Sequence, residues 1–174
     1  MRENVSMRNL LLYHGSFMPV RNPKANYNDG TNDFGNGFYL TSDAKQAEKW
    51  AKRKAKYYYK TENKIIVACV SQFEISMDDL KHLRFKKYDK VEFVKVMLQC
   101  RSNNEFALPK YDVLYGPVAD GRTNLLIRKF LKGNERDFEK LICDLKLDRY
   151  TDQFCFKTDL AIKKLRYVGD YYVK

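Results

Sequence analysis

The chain has 174 residues, 44% of them hydrophobic and 14% aromatic, and 33 Lys and Arg against 22 Asp and Glu give a net charge of +11. This length suits a single domain over residues 1–174 that buries roughly two-thirds of its unfolded surface, and the apolar content excludes a chain disordered throughout. No apolar stretch approaches the roughly 18 residues of a membrane span, and Arg2 and Arg8 precede no apolar run of signal-peptide length, so a soluble cytoplasmic protein with no membrane partner is expected.

Asn9 to Tyr13 is a short apolar run that reads as a central strand delivering the polar triplet His14-Gly15-Ser16 at its tip. Phe17 to Gly37 has little periodicity and much Asn, Asp, Gly and Pro. A loop of this length inside a compact domain is usually functional, and a lid is one reading of it. Gly35 and Gly37 bracket a turn in which glycine permits backbone conformations that other residues avoid. Phe38 to Thr41 reads as a buried strand. Asp43 with Gln46 three residues on makes a capping box for a helix whose Ala44, Ala47, Trp50 and Ala51 share one face.

Lys45 to Lys60 carries seven basic side chains against one acid, so that helix presents a strongly positive face. Such a face suits nucleic acid, an acidic antagonist protein or an anionic cosubstrate, and equally a solvated surface. Lys64 to Ser76 is the strongest strand signal in the chain. A short helix over Met77–Leu83 and a longer one over Lys90–Cys100 follow. Tyr111 to Tyr115 reads as a strand closed by Gly116-Pro117, Val118 to Arg122 as a polar turn, and Asn124–Leu131 and Phe138–Leu145 as helices. Gln153 to Lys157 alternates polar and aromatic residues like a half-buried strand. A capped helix over Thr158–Leu165 and a tyrosine-rich strand over Arg166–Val173 complete an α+β pattern with no repeat or linker. Cys69, Cys100, Cys143 and Cys155 are mutually distant and far from any His cluster, which suits reduced, mostly buried thiols and no metal site.

Three strand ends carry side chains suited to a ligand cleft: His14, Tyr39 and Gln153. Taken singly each is weak, since a lone His is more often structural. In combination, Leu12-Tyr13-His14-Gly15-Ser16 followed by Gly35-x-Gly37-Phe38-Tyr39-Leu40-Thr41 resembles the first two motifs of the ADP-ribosyltransferase superfamily, in the branch shared by diphtheria toxin and the poly(ADP-ribose) polymerases. That branch has a second aromatic eleven residues after its Tyr, and here Trp50 stands there. With Gly116-Pro117-Val118-Ala119-Asp120 and Gln153-x-Cys155-Phe156, the chain is similar along nearly its full length to a bacterial family of ADP-ribosyltransferase-like proteins.

The resemblance implies a split β-sandwich with helices around an NAD cleft. It implies that His14 holds the adenosine ribose, that the Gly15 backbone grips the nicotinamide carboxamide with Ser16 beside it, and that Tyr39 and Trp50 sandwich the nicotinamide ring. Ser42 lies between the two aromatics as a further polar contact, and Arg21 or Arg122 suits the pyrophosphate. Gln153 occupies the position where the superfamily normally has Glu. An amide carbonyl still accepts a ribose hydroxyl but brings no charge and cannot act as a base. Asp120 and Asp152 are the nearby carboxylates. Polymer elongation is not expected. The resemblance implies single transfer to a protein or nucleic acid as the leading expectation, as by an intracellular bacterial or phage toxin with an acidic antitoxin or inhibitor partner. NAD hydrolysis and NAD or ADP-ribose binding without turnover stay open.

Overall fold

The computed structural model describes residues 8–25, 32–62, 66–102, 110–118, 122–133, 137–147 and 152–174. Within these, seven strands and six helices alternate along the chain: β1 (Asn9–Ser16), β2 (Phe38–Leu40), α1 (Ala44–Glu62), β3 (Cys69–Ser76), α2 (Met77–His82), β4 (Phe85–Lys87), α3 (Lys90–Arg101), β5 (Val113–Pro117), α4 (Thr123–Lys132), α5 (Phe138–Leu145), β6 (Asp152–Phe156), α6 (Asp159–Ile162) and β7 (Arg166–Tyr172). The fold is α+β. None of the helices described is long and apolar enough to cross a membrane.

The strands form two sheets. One has the order β1-β3-β7, antiparallel throughout, and the other the order β2-β6-β5-β4, in which only the edge pair β4–β5 is parallel. Leu12, Phe73 and Ile75 from the first sheet meet Phe38, Leu40, Val113, Phe154 and Phe156 from the second in one apolar layer, closed by Leu80 of α2 and Ala161 of α6. Alternation along β6 sends Phe154 and Phe156 into that layer and turns Gln153 and Cys155 to the opposite face. Phe34, Phe93, Met97, Leu141 and Leu145 cover that other face. The half-buried reading of this strand is therefore corrected. Helices on one side and a sheet on the other leave all of 153–156 buried.

Helix α1 lies on the first sheet through Ala47, Ala51 and Ala55 against Val70. The alanine stripe lets the backbones approach so closely that a Cβ on Gly15 would stand 2.0 Å from the Ala47 carbonyl oxygen. Asp43 starts the helix by accepting from the Lys45 and Gln46 amides, while the Gln46 side chain leaves the expected box and donates to the Asp152 carbonyl. Of the two turn glycines, Gly35 has a positive φ of 70°. Gly37 does not, and its reason is space, because a Cβ there would meet the Cys155 sulfur at 2.3 Å.

Two further expectations change, and one strand is absent from the sequence reading. β1, expected as a central strand with a polar triplet at its tip, lies at an edge of its sheet and runs through Ser16, paired with β3 throughout. The strand read over Lys64–Ser76 begins at Cys69, where its partner β1 ends at Ser16 (residues 63–65 lie outside those described). The three-residue edge strand β4 falls in a stretch, RFKKY, whose charge hid it; lysines on an edge discourage further pairing. Cys69, Cys100 and Cys155 are buried, and Cys143 is exposed.

Candidate functional site

The two sheets meet where Tyr13, inside β1 and still paired with β3, faces Thr41 just past the end of β2. Among the described residues a single bridge joins them, with Tyr13 and Thr41 exchanging N–H···O bonds of 2.8 and 3.0 Å. A cavity of about 150 Å³ opens at this seam, walled by β1, the turn before β2, β2 itself, α1, the end of α3, Val118 and β6. His14, Gly15, Tyr39, Trp50 and Gln153 all line it.

His14 is 5% exposed and stacks on Phe38 at 4.6 Å. Its Nδ1 is 2.7 Å from the Tyr39 carbonyl oxygen. A carbonyl only accepts, so Nδ1 carries the proton and Nε2 of the neutral ring is the acceptor. Burial, aided by the Lys54 ammonium and opposed by the bond to Tyr39, pushes the imidazole down to about 3. At neutral pH this ring is a hydrogen-bonding group rather than an acid.

The Tyr39 hydroxyl is committed locally. It donates to the Gly35 carbonyl at 2.8 Å and accepts from the Phe34 amide at 2.9 Å. Burial raises the phenol well above its ordinary range, so it stays protonated. What Tyr39 offers the cavity is its ring. Trp50, 39% exposed at the rim, carries the Arg53 guanidinium 5.5 Å from its ring centre.

Gln153 is 7% exposed, and its Nε2 donates to the Asp33 carboxylate at 3.0 Å and to the Pro117 carbonyl at 2.7 Å. Both neighbours are acceptors, which fixes the amide orientation and leaves Oε1 out of these two bonds. Asp33 also pairs with Arg101 across 2.5 Å. A carboxylate thus sits directly behind the amide that stands where the resembling family has Glu.

Other expected positions lie elsewhere. Ser42 is exposed, with its amide and hydroxyl on the Asp152 carboxylate, which also takes the Thr41 hydroxyl; neither Ser42 nor Asp152 lines the cavity. Ser16 is buried at the end of β1, outside the lining. Arg21 is exposed and paired with Asp170 of β7 at 3.3 Å, which raises its pKa. Arg122 stands at the N-cap position of α4 without a side-chain capping bond and is not part of the wall. Asp120 and part of the 17–37 loop lie outside the described residues.

Asp33, Arg101, Gln46 and Lys54 line the cavity without having been expected there, Gln46 having been read only as a helix cap. A signal existed for two of them, since Gln46 and Lys54 stand four residues before and after Trp50 and so share its helix face. Nothing in the local sequence marks Asp33 or Arg101.

These features define an α+β protein with a small, charged, aromatic-walled cavity at the seam of two sheets. Over residues 10–167 the chain matches the family described as protein of unknown function (DUF3990), and it belongs to that family. No curated protein and no solved structure matches the chain.

Proposed function

We propose that the protein is a mono-ADP-ribosyltransferase that cleaves NAD and passes ADP-ribose to a macromolecule. The observation that carries this reading is the convergence of His14, Tyr39, Trp50 and Gln153, spread over 140 positions of sequence, on one cavity. These four occupy the motif positions through which the chain resembles the ADP-ribosyltransferase superfamily, and the two sheets sharing one layer suit its split β-sandwich.

The chemistry needed is modest. Heterolysis of the bond between the nicotinamide nitrogen and the ribose C1″ releases neutral nicotinamide and leaves an oxocarbenium-like sugar, which an acceptor then attacks. In this reading Tyr39 and Trp50 hold the nicotinamide ring, each stack contributing about 0.5–1.5 kcal/mol. The neutral Nε2 of His14 accepts a ribose hydroxyl, the Gln153 carbonyl accepts another, and the Asp33 carboxylate lends negative potential to the developing cation. Arg101 offsets part of that charge, which suits slow single transfer better than polymer formation. A cavity of about 150 Å³ is smaller than the roughly 300–1,000 Å³ of most ligand pockets, so it suits the nicotinamide-ribose end and the adjoining phosphates, with the adenine outside.

The test is incubation with NAD labelled in the ADP-ribose moiety and a cell lysate, following label and free nicotinamide together. Labelled macromolecule with released nicotinamide is the expected result. Nicotinamide release without label assigns a glycohydrolase instead, and NAD binding with neither product assigns a binding module.

A further inference from the structure

Among the described residues, the charges along the cavity wall do not balance internally. Asp33 is the acid on it, and its two oxygens are taken by Arg101 and by the Gln153 amide. The second cation, Lys54, is half-buried on α1, and among the described residues no carboxylate pairs with it. Among the described residues, the other charged or titratable groups facing the cavity are Tyr13 and His14 on β1, Tyr39 on β2, Asp33 in the preceding turn and Arg101 on α3. None of these except Asp33 is an acid, and His14 is near enough to Lys54 for the ammonium to oppose its protonation.

The six other basic residues of Lys45–Lys60 point to water, Arg53 resting over Trp50 as it does so. Lys54 alone of them turns inward, because it stands one helical turn beyond Trp50 and two beyond Gln46 on the face that α1 gives to the cavity. A long side chain could place its charge in water, as its neighbours do. Keeping an ammonium in a partly desolvated wall without an acid is unfavourable in the empty protein and becomes favourable when an anion arrives.

We propose that Lys54 is an anion-binding subsite of this cavity, and that it holds the phosphate oxygens of a diphosphate-bearing nucleotide while the aromatic end takes the base. The anionic class follows from the charge count alone. Its identification with the diphosphate of NAD rests on the transferase reading. The subsite also gives recognition a pH dependence. Burial lowers the Lys54 pKa to about 8, whereas His14 is already neutral and Tyr39 stays protonated around that value. Raising the pH through 8 therefore removes the charge that holds the phosphates and weakens binding.

Calorimetric titration of the intact protein with ADP-ribose, NAD and inorganic pyrophosphate, at pH 7 and pH 9.5, tests this, with nicotinamide as the phosphate-free control. Wild-type protein should lose affinity for all three phosphate ligands at the higher pH. Lys54→Met should weaken them about tenfold at pH 7, the loss of one charge-assisted contact, and leave nicotinamide unchanged. Lys54→Arg, which keeps the charge at both values, should bind with no step near pH 8 and covers the case in which the Met variant is unstable. NAD binding equal in wild type and Lys54→Met overturns the subsite and leaves the transferase reading intact. Lys54-dependent pyrophosphate binding without NAD binding keeps the subsite and removes NAD. Wild-type protein that binds none of the phosphate ligands overturns both.

Discussion

The Gln153 amide nitrogen lies 3.0 Å from a carboxylate oxygen of Asp33, a residue 120 positions earlier in the chain. Because the Pro117 carbonyl takes the other amide proton, the pocket around this nitrogen holds two acceptors and wants a donor. A carboxylate cannot serve there unless it carries a proton. On the transferase reading, introducing the acid of the resembling superfamily through Gln153→Glu should therefore not raise NAD turnover. It should lower stability at pH 7 by about 2 kcal/mol, the cost of leaving buried partners unsatisfied, and the loss should shrink as the pH falls and a proton becomes available. Adding Asp33→Asn returns a donor opposite the new carboxylate and should recover much of the stability. Denaturation of the two single variants and the double at pH 5 and pH 7 decides this; additive losses would show that the two side chains act independently.

Trp50 sits at the cavity rim and contributes little to the core. Trp50→Ala should change folding stability by less than about 0.5 kcal/mol, as for other exposed sites. NAD affinity should nevertheless fall by roughly three- to tenfold, the equivalent of one lost stack. Trp50→Phe should retain most of it. Equal affinity in all three proteins would remove the indole from the ligand site.

Gly15 is confined by backbone atoms on both near sides, the Ala47 oxygen and the Ala51 nitrogen. Gly15→Ala must push α1 off β1, since neither neighbour is a side chain that can rotate away. A stability loss of about 1–3 kcal/mol is expected, as for other overpacked sites. Ligand binding should weaken as well, because the moved helix carries Trp50 and Lys54. A thermal melt and an NAD titration on the same preparation read both effects.

The buried imidazole makes stability depend on pH in a defined window. His14 is held near 3 in the folded protein against an ordinary 6.5, so between those values the unfolded chain binds more protons. Stability contributed by the neutral ring is complete above about pH 6.5 and declines as the pH falls toward 3. In His14→Gln the slope between pH 6.5 and 5 should flatten. An unchanged slope, measured by urea denaturation at half-unit intervals, would mean that the ring is reached by water.

Away from the cavity, Asp112 accepts from the backbone amide and guanidinium of Arg84 and from the Thr158 hydroxyl, the Arg84 contacts chief among the forces that lower its pKa to about 2. This depressed acid stabilises fully above its ordinary value of 3.8 and loses that contribution as the pH drops toward 2. Asp112→Asn should cost about 2 kcal/mol at pH 7, toward the low end for charged hydrogen bonds because the Arg84 side chain is largely exposed and screened. The cost should vanish at acidic pH, where the wild-type acid is itself neutral.

Most strands and helices were legible because each rests on local signals. Apolar runs bounded by turn residues marked β1 and β2, tyrosine richness marked β7, capping residues marked α1 and α6, and helical spacing marked α1 and α3. What failed needed information from across the fold. The full burial of β6 depends on α3 and α5 covering a face that its own alternation presents as polar, and β4 exists only because β5 lies beside it. The same division runs through the site. His14, Tyr39, Trp50 and Gln153 stand out by motif position, whereas Asp33 gains meaning from Gln153 and Arg101, contributed by β6 and α3. Lys54 was hidden among like charges, with only its spacing from Trp50 to mark it.

One pair of backbone bonds, between Tyr13 and Thr41, spans the boundary between the two sheets, with the His14 imidazole reaching the Tyr39 carbonyl beside it. A ligand lodged at that boundary touches both slabs at once and works as a mortar between them. On the transferase reading, NAD occupancy should consequently be felt far from the ligand as slower hydrogen exchange along β1 and β2, the joint itself registering the guest.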